Sequence, residues 1–347
     1  MKTQSKLYGY ITISAILLVI IAVWSLNTGV YDFGGKSAFD VLGKVIQGDK
    51  GLSLSDKYVV WDVRAARIIM AILIGSMLAV SGTGLQGLFK NPLATGDLIG
   101  LTSGATLLAA IAIVLGGHFK QYLPEAVQFS LVGISAFIGS LLSMMLVYRI
   151  STSGGKTNVV MMLLSGVAIT AIGFSITGFL IYISKDDQLR DLTFWNLGSL
   201  AAATWTKNII LAIVLIISYF ILLPKGKALN AMMLGEKDAQ HLGINVERLK
   251  KQIIIITALM VGSCVAFSGT IGFVGLIVPY ILRFLFKSNY VFILPLSAVF
   301  GSILLLLADT FSRSIVEPSE LPIGILTALM GGPIFIAILV KFKKSLS

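Results

Sequence analysis

LYGYITISAILLVIIAVWSL, residues 7–26, runs for twenty positions without a charged side chain. A helix rises about 1.5 Å per residue, so this stretch covers about 30 Å, the hydrocarbon thickness of a bilayer. Lys2 and Lys6 precede it. The run is too long for the core of a secretion signal and no A-x-A cleavage pattern follows, so it reads as an uncleaved first membrane span.

The rest of the chain repeats this texture. Of 347 residues, 56% are hydrophobic and 12% charged, against roughly 25% charged in soluble domains. That much apolar surface calls for lipid as solvent. Apolar runs separated by polar or Gly/Pro breaks give ten candidate spans, near 7–29, 64–86, 93–115, 127–148, 158–183, 207–223, 251–268, 273–286, 293–312 and 324–340. The eighth is short and requires the turn at 269–272 to be packed in protein, because bare backbone in hydrocarbon is costly. The whole chain, 1–347, reads as one all-α integral membrane domain.

Ten spans put both termini on one side. With a cytoplasmic N-terminus, the inner segments hold sixteen basic and four acidic residues, a net of +12. The outer segments hold eleven and twelve, a net of −1. Basic loops face the cytoplasm, so both termini are expected there. The overall charge of +11 is thereby explained without nucleic acid, and no Arg-rich face with interleaved aromatics lies outside the spans.

Cys264, the single cysteine, sits in an apolar run and reads as a packing residue. His118 and His241 have no metal-ligand spacing, and neither a metal nor a cofactor is expected. Gly82, Gly84 and Gly87 match G-x-G-x-x-G but end an apolar helix, where a dinucleotide site would need a preceding strand. Gly154-Gly155-Lys156-Thr157 ends like a phosphate-binding loop, yet Ile150 stands where that pattern needs glycine. The chain has no device for ATP hydrolysis; it reads as no enzyme, with any ATPase on another subunit. Asp97 and Asp309 fall near span ends, which argues against a proton- or ion-coupled carrier.

Small residues recur at four-residue spacing: Gly96, Gly100 and Gly104, and on the second span Gly75, Ala79, Thr83 and Gly87. They allow close helix approach, within the subunit or across a dimer seam. The segment 226–246 differs from its surroundings. It is long, lies on the basic side and has apolar helical spacing at Leu229, Met232 and Met233, with Gly235 and Gly243 as helix stops. A helix resting on lipid headgroups and a helix seated in a partner's groove both fit it.

Taken together, motifs along most of the chain resemble the FecCD-type permease family of iron-siderophore, haem and cobalamin importers. Gly82 to Gln86, Asn91-Pro92-Leu93-Ala94, Gly100 and Gly104-Ala105 resemble one signature. Leu234-Gly235-Glu236, Ala239 and Leu242-Gly243 resemble the family's ATPase-coupling motif. Ser268 to Leu276 with Pro279 and Arg283, then Asp309, Arg313, Glu320 to Gly324 and Gly332 to Phe335, complete the series. Thr270 and Tyr280 depart from the family's usual Pro and His.

The resemblance implies a ten-helix, cobalamin-permease-like (type II ABC importer) bundle in the inner membrane. It also implies a homodimer, two ATP-binding-cassette subunits and an extracytoplasmic binding protein. Arg64, Arg67 and Arg313 match positions at which family members dock that binding protein. Residues 189–200, LRDLTFWNLGSL, resemble an outer loop of haem permeases. Haem therefore ranks ahead of a ferric siderophore and of cobalamin as cargo. Span five, with Met161, Met162, Ser165, Gly166 and Thr170, is expected to line the translocation path: apolar with scattered hydroxyls, it would bind a large chelate weakly.

Overall fold

The structure is a computed structural model that describes residues 2–49, 51–119, 124–316 and 319–346, apart from the side chains of 2–5, 118–119, 125–129 and 341–346. The side chain of His118 lies outside the described residues. The helices in chain order are α1 (Lys2–Asn27), α2 (Ala38–Ile46), α3 (Leu54–Lys57), α4 (Ala66–Phe89), α5 (Leu101–Val114), α6 (Gly116–Phe119), α7 (Glu125–Ser151) and α8 (Val159–Ile183). They continue as α9 (Asp186–Leu197), α10 (Trp205–Leu222), α11 (Gly226–Leu234), α12 (Glu236–His241), α13 (Val246–Ser268), α14 (Val274–Phe286), α15 (Tyr290–Ser312) and α16 (Ile323–Leu346). Strands β1 (Thr152–Ser153) and β2 (Lys156–Thr157) form a hairpin between α7 and α8.

Among the described residues, eight helices are long and apolar enough to cross a membrane. Two shorter apolar helices, α5 and α14, stand where the sequence reading puts the third and eighth spans. The second span is longer than expected. It runs as one helix over Leu54–Phe89, about 54 Å at 1.5 Å per residue, and so projects beyond the hydrocarbon. Lys57, Asp62 and Arg64 masked this extension in the sequence. Within it, Tyr58–Ala65 is a π-helix, a geometry that often marks functional sites.

Helix α4 is the axis of the bundle, 89% buried over its most apolar window. It packs on α15, α13, α14 and α10. Glycine sets the approach. A Cβ on Gly75 would lie 2.3 Å from the Gly301 carbonyl oxygen of α15, and one on Gly82 would lie 2.0 Å from that of Gly275 on α14. Hydroxyls bridge the α4–α15 seam: Ser76 to Ser302 at 2.8 Å and Thr83 to Ser297 at 2.6 Å. The small-residue pattern on α4 thus serves packing inside the subunit. The apparent dinucleotide motif, Gly82-Gly84-Gly87, is wholly helical.

The expected stripe of Gly96, Gly100 and Gly104 is corrected. Gly96 precedes a 3-10 turn and Gly100 ends it with φ +80°, so only Gly104 lies on α5. Two breakers inside ten residues stop the helix, and the third span begins at Leu101 rather than 93. Gly104 meets Gly139 of α7, each where a Cβ would strike the other's backbone.

The turn before α14 is packed in protein. The Ser199 amide donates to the Ser268 carbonyl at 2.8 Å, and the Thr270 hydroxyl donates to the Asn196 carbonyl. Gly269, at φ +69°, has the Trp195 carbonyl oxygen 2.2 Å from where a Cβ would be. The segment at 189–200 is therefore not loose chain. Most of it is α9, docked against this break.

Candidate functional site

The structure separates three groups of residues along the bundle. At one end stand the arginines. The π-helical turn presents Arg64 toward the end of α1, where it donates to the carbonyls of Leu26 (2.9 Å), Gly29 (3.2 Å) and Tyr31 (2.9 Å) and lies 4.9 Å over the Phe33 ring. Arg67 donates to both Asp309 oxygens (2.9 and 3.1 Å) and both Glu320 oxygens (2.9 and 2.8 Å). Arg313 donates to the carbonyls of Thr28 (2.9 Å) and Ser25 (2.6 Å). Three guanidinium groups face two carboxylates, leaving one net positive charge. All three arginines are buried, at 5%, 7% and 8% exposure, although the docking role expected of them implies accessible groups. Glu320, 43% exposed at its side chain, is the accessible rim of the cluster.

Halfway along the bundle is a cavity of about 300 Å³. Its walls include Leu78, Ser81 and Gly82 from the central turns of α4, and Thr170 and Phe174 from the central turns of α8. Asp97 lines it too. This overturns the placing of Asp97 at the mouth of a span. The glycine-broken segment at 91–100 folds back into the bundle, so its carboxylate stands level with the middles of α4 and α8. Asp97 keeps accessible surface and is part of this cavity's lining. The Thr102 hydroxyl donates to it, and Ser103 and Thr170 pair their hydroxyls at 3.2 Å.

Of the five residues expected to line the path on α8, Thr170 alone reaches this cavity. Met162, Ser165 and Gly166 pack inward. A Cβ on Gly166 would lie 2.4 Å from the Leu98 carbonyl oxygen, so glycine lets α8 lie against the re-entrant segment. The Ser165 hydroxyl donates within its own helix to Met161. Met161 is 43% exposed, and Leu164 and Val167 are exposed as well.

The re-entrant segment hangs from the motif residues. Gln86 donates to the Gly275 carbonyl at 3.2 Å and accepts from Arg283, which also reaches the Pro92 carbonyl at 3.4 Å. The Leu93 amide donates to the Asn91 side chain at 2.9 Å. These polar groups fix where the chain leaves α4.

At the opposite end from the arginines, 226–246 folds as two short helices. In α11, Leu229 and Met232 are fully buried, while Met233 is 38% exposed. Gly235, at φ +145°, turns the chain into α12, and Gly243, at φ +79°, follows it. Ala239 is fully buried and anchors α12, whereas Leu234 and Leu242 are 69% and 64% exposed. Glu236, at the start of α12, accepts from Lys250 of α13 at 2.8 Å. Two large apolar side chains flanking one helix turn on a charged surface suit insertion into a partner. The look-alike phosphate loop lies close by as an ordinary hairpin turn, with Gly154 and Gly155 at φ +57° and +75°.

Among the described residues, no group of three His, Cys, Asp or Glu could hold a metal ion. Cys264 is buried as a free thiol against the Ile74 carbonyl.

The profile of the FecCD transport family matches residues 17–341. The hemin transport system permease protein HmuU of Yersinia pestis is 36% identical over 334 residues, which covers 96% of this chain and 95% of that one. The vitamin B12 import system permease protein BtuC of Vibrio parahaemolyticus is 37% identical over 292 residues, covering 84% and 86%. A solved metal-chelate-type ABC transporter, described in an inward-facing conformation, superimposes with a TM-score of 0.82 at 31% identity, covering 97% of this chain and 99% of that one.

Proposed function

The chain belongs to the FecCD transport family, of ABC-transporter permease subunits, and on that premise we propose that it carries an iron-bearing chelate, haem first, through the membrane. It is a transporter subunit and not an enzyme; the ATPase is a separate subunit. A ferric siderophore is the second reading and cobalamin the third. Similarity to a hemin permease over nearly the whole chain supports haem. The comparable identity of a vitamin B12 permease keeps the alternatives in the experiment.

The observation that carries the reading is the polarity of the bundle. A helix pair presents the exposed Leu234 and Leu242 on a charged surface at one end, the charged cluster of Arg64, Arg67 and Arg313 stands at the other, and a cavity lies between them. In this reading both termini are cytoplasmic, in the inner membrane. Two copies form a homodimer, and each seats Leu234, Gly235, Glu236, Ala239, Leu242 and Gly243 on one ATPase. The binding protein docks outside, on the surface the three arginines hold in shape. Its carboxylates reach Arg67 by taking the place of Glu320, since charge-assisted pairs with arginine are geometrically specific.

The path runs along α8, past Met161, Met162, Ser165, Gly166 and Thr170, with the inward-packed members joining it when α8 moves. An ion-coupled carrier would use Asp97 as its site, and it predicts uptake that survives ATP depletion. Co-purification with the ATPase, reconstitution, and ATP-dependent uptake of haem, a ferric siderophore and cobalamin in parallel test the reading. Uptake of none of the three with ATP present would overturn it.

A further inference from the structure

Lys250 lies in the second turn of α13 and is 2% exposed. An ammonium has three N–H donors, and here all three are used. Nζ donates to Glu236 of α12 at 2.8 Å, to Glu247 of its own helix at 3.0 Å, and to the Thr157 carbonyl of β2 at 2.8 Å. The second Glu247 oxygen accepts from the Thr157 amide at 2.9 Å. Thr157 is thus gripped at both its N–H and its C=O by one ion pair. Helix α8 begins two residues later, and Asn158 between them caps it by accepting from the Val160 and Met161 amides.

A buried lysine is costly to desolvate and is retained where its partners compensate it. A hairpin of two-residue strands needs no such node to connect two helices. The node joins the exposed helix α12 and the rigid start of α13, which follow one another in the chain, to the hairpin some 93 positions away that delivers α8 to the cavity. Every link is a charge-assisted or backbone hydrogen bond between buried or half-buried groups, so displacement of α12 is carried rather than absorbed.

We propose that Lys250 is the strut through which movement of α12 reaches α8 and the cavity wall. This rests on the reading of 226–246 as the ATPase seat and deepens it by naming the route of coupling. Lys250 is a positioning residue: it touches neither cargo nor nucleotide. When the ATPase shifts α12, Glu236 draws on Nζ, and Nζ draws on the Thr157 carbonyl. The start of α8 then moves against the re-entrant segment, where Gly166 faces Leu98.

The experiment uses the permease–ATPase complex in lipid, with spin labels on Val160→Cys of α8 and Ile13→Cys of α1, both exposed positions. The distance between labels is read with and without trapped nucleotide, beside binding-protein-stimulated ATP hydrolysis. Lys250→Met should abolish the nucleotide-dependent distance change and lower stimulated hydrolysis about fivefold or more, the scale of a typical coupling. The ATPase should still co-purify. Lys251→Met, exposed on the same helix, should behave as the parent.

A parent-like distance change in Lys250→Met would overturn the strut. If that variant fails to assemble, Glu247→Gln, altered at the half-buried partner on α13 outside the ATPase seat, decides by the same readout: a reduced distance change supports the strut and a full one overturns it. A parent that captures no ATPase overturns the underlying reading, and the strut with it.

Discussion

Arg67 and Asp309, 242 positions apart in sequence, lie side by side with Nε 2.9 Å from one carboxylate oxygen and 3.1 Å from the other. Asp309 is fully buried, and Arg313 stands 3.7 Å from its second oxygen. Removing the carboxylate leaves the buried Arg313 without its ion-pair partner and Arg67 with the half-exposed Glu320 alone. Asp309→Ala is therefore expected to destabilise the fold by about 3–5 kcal/mol. Glu320→Gln alters the 43% exposed rim and should cost no more than about 1 kcal/mol. Thermal unfolding of the two variants in detergent checks the contrast; equal losses would refute the assignment of Asp309 as the buried centre.

The glycine seams make a second prediction. Gly301→Val would drive a side chain into the Gly75 carbonyl of α4, with the first atom 2.2 Å away. Rotamer change cannot relieve contact with backbone, so α15 must separate from α4, at a cost above the roughly 1–3 kcal/mol of ordinary overpacking. Gly178→Val on α8, where nothing lies within 4 Å, should leave folding unchanged. Size-exclusion profiles and melting temperatures report both.

The spans were legible because lipid imposes a simple rule: twenty apolar residues, read without knowledge of partners, give a helix. The helix pair at 226–246 was legible because Gly235 and Gly243 punctuate it. What the sequence concealed was depth and direction. The sequence puts Asp97 at a span mouth because hydropathy continues through 93–100, and nothing in a one-dimensional profile shows that Gly96 and Gly100 turn the chain back into the bundle. Arg64 and Arg67 read as accessible docking groups because they match the family's docking positions at the start of a span. Their burial depends on Asp309 and Glu320, more than 240 positions away, and on carbonyls that no side-chain pattern reveals. Lys250 looked like one more cytoplasmic cation.

Asp97 supplies a third prediction. Its carboxylate accepts from Thr102 and lines an otherwise hydroxyl-bearing and apolar cavity, so it would meet the cargo if the proposed path runs through that cavity. Asp97→Asn keeps the size and the acceptor oxygen. Stability should change by less than about 1 kcal/mol, because neither an ion pair nor a packed apolar contact is lost. Uptake of an anionic chelate such as haem should rise and that of a cationic one should fall, since a lone charge at low dielectric discriminates by sign. Reconstituted uptake of both probes measures this, and no change in their ratio would remove Asp97 from the path.

The exposed leucines give the last prediction. Leu234 and Leu242 flank α12 at 69% and 64% exposure, while Ala239 between them is fully buried and fixes the helix to the bundle. If the two leucines enter an ATPase groove, each removes apolar surface from water worth about 1.5–3 kcal/mol when fully covered. Leu234→Ser with Leu242→Ser should then weaken capture of the ATPase by at least about tenfold. The melting temperature of the isolated permease should hold or rise, because the exposed leucines contribute little to its own core. Ala239→Leu acts oppositely: it forces a larger side chain into a filled site, lowers the melting temperature, and weakens capture only by disordering α12. Titration of ATPase onto immobilised permease, read beside the melting curves, separates contact from scaffolding. Undiminished capture by the double serine variant would mean that α12 rests on lipid headgroups instead.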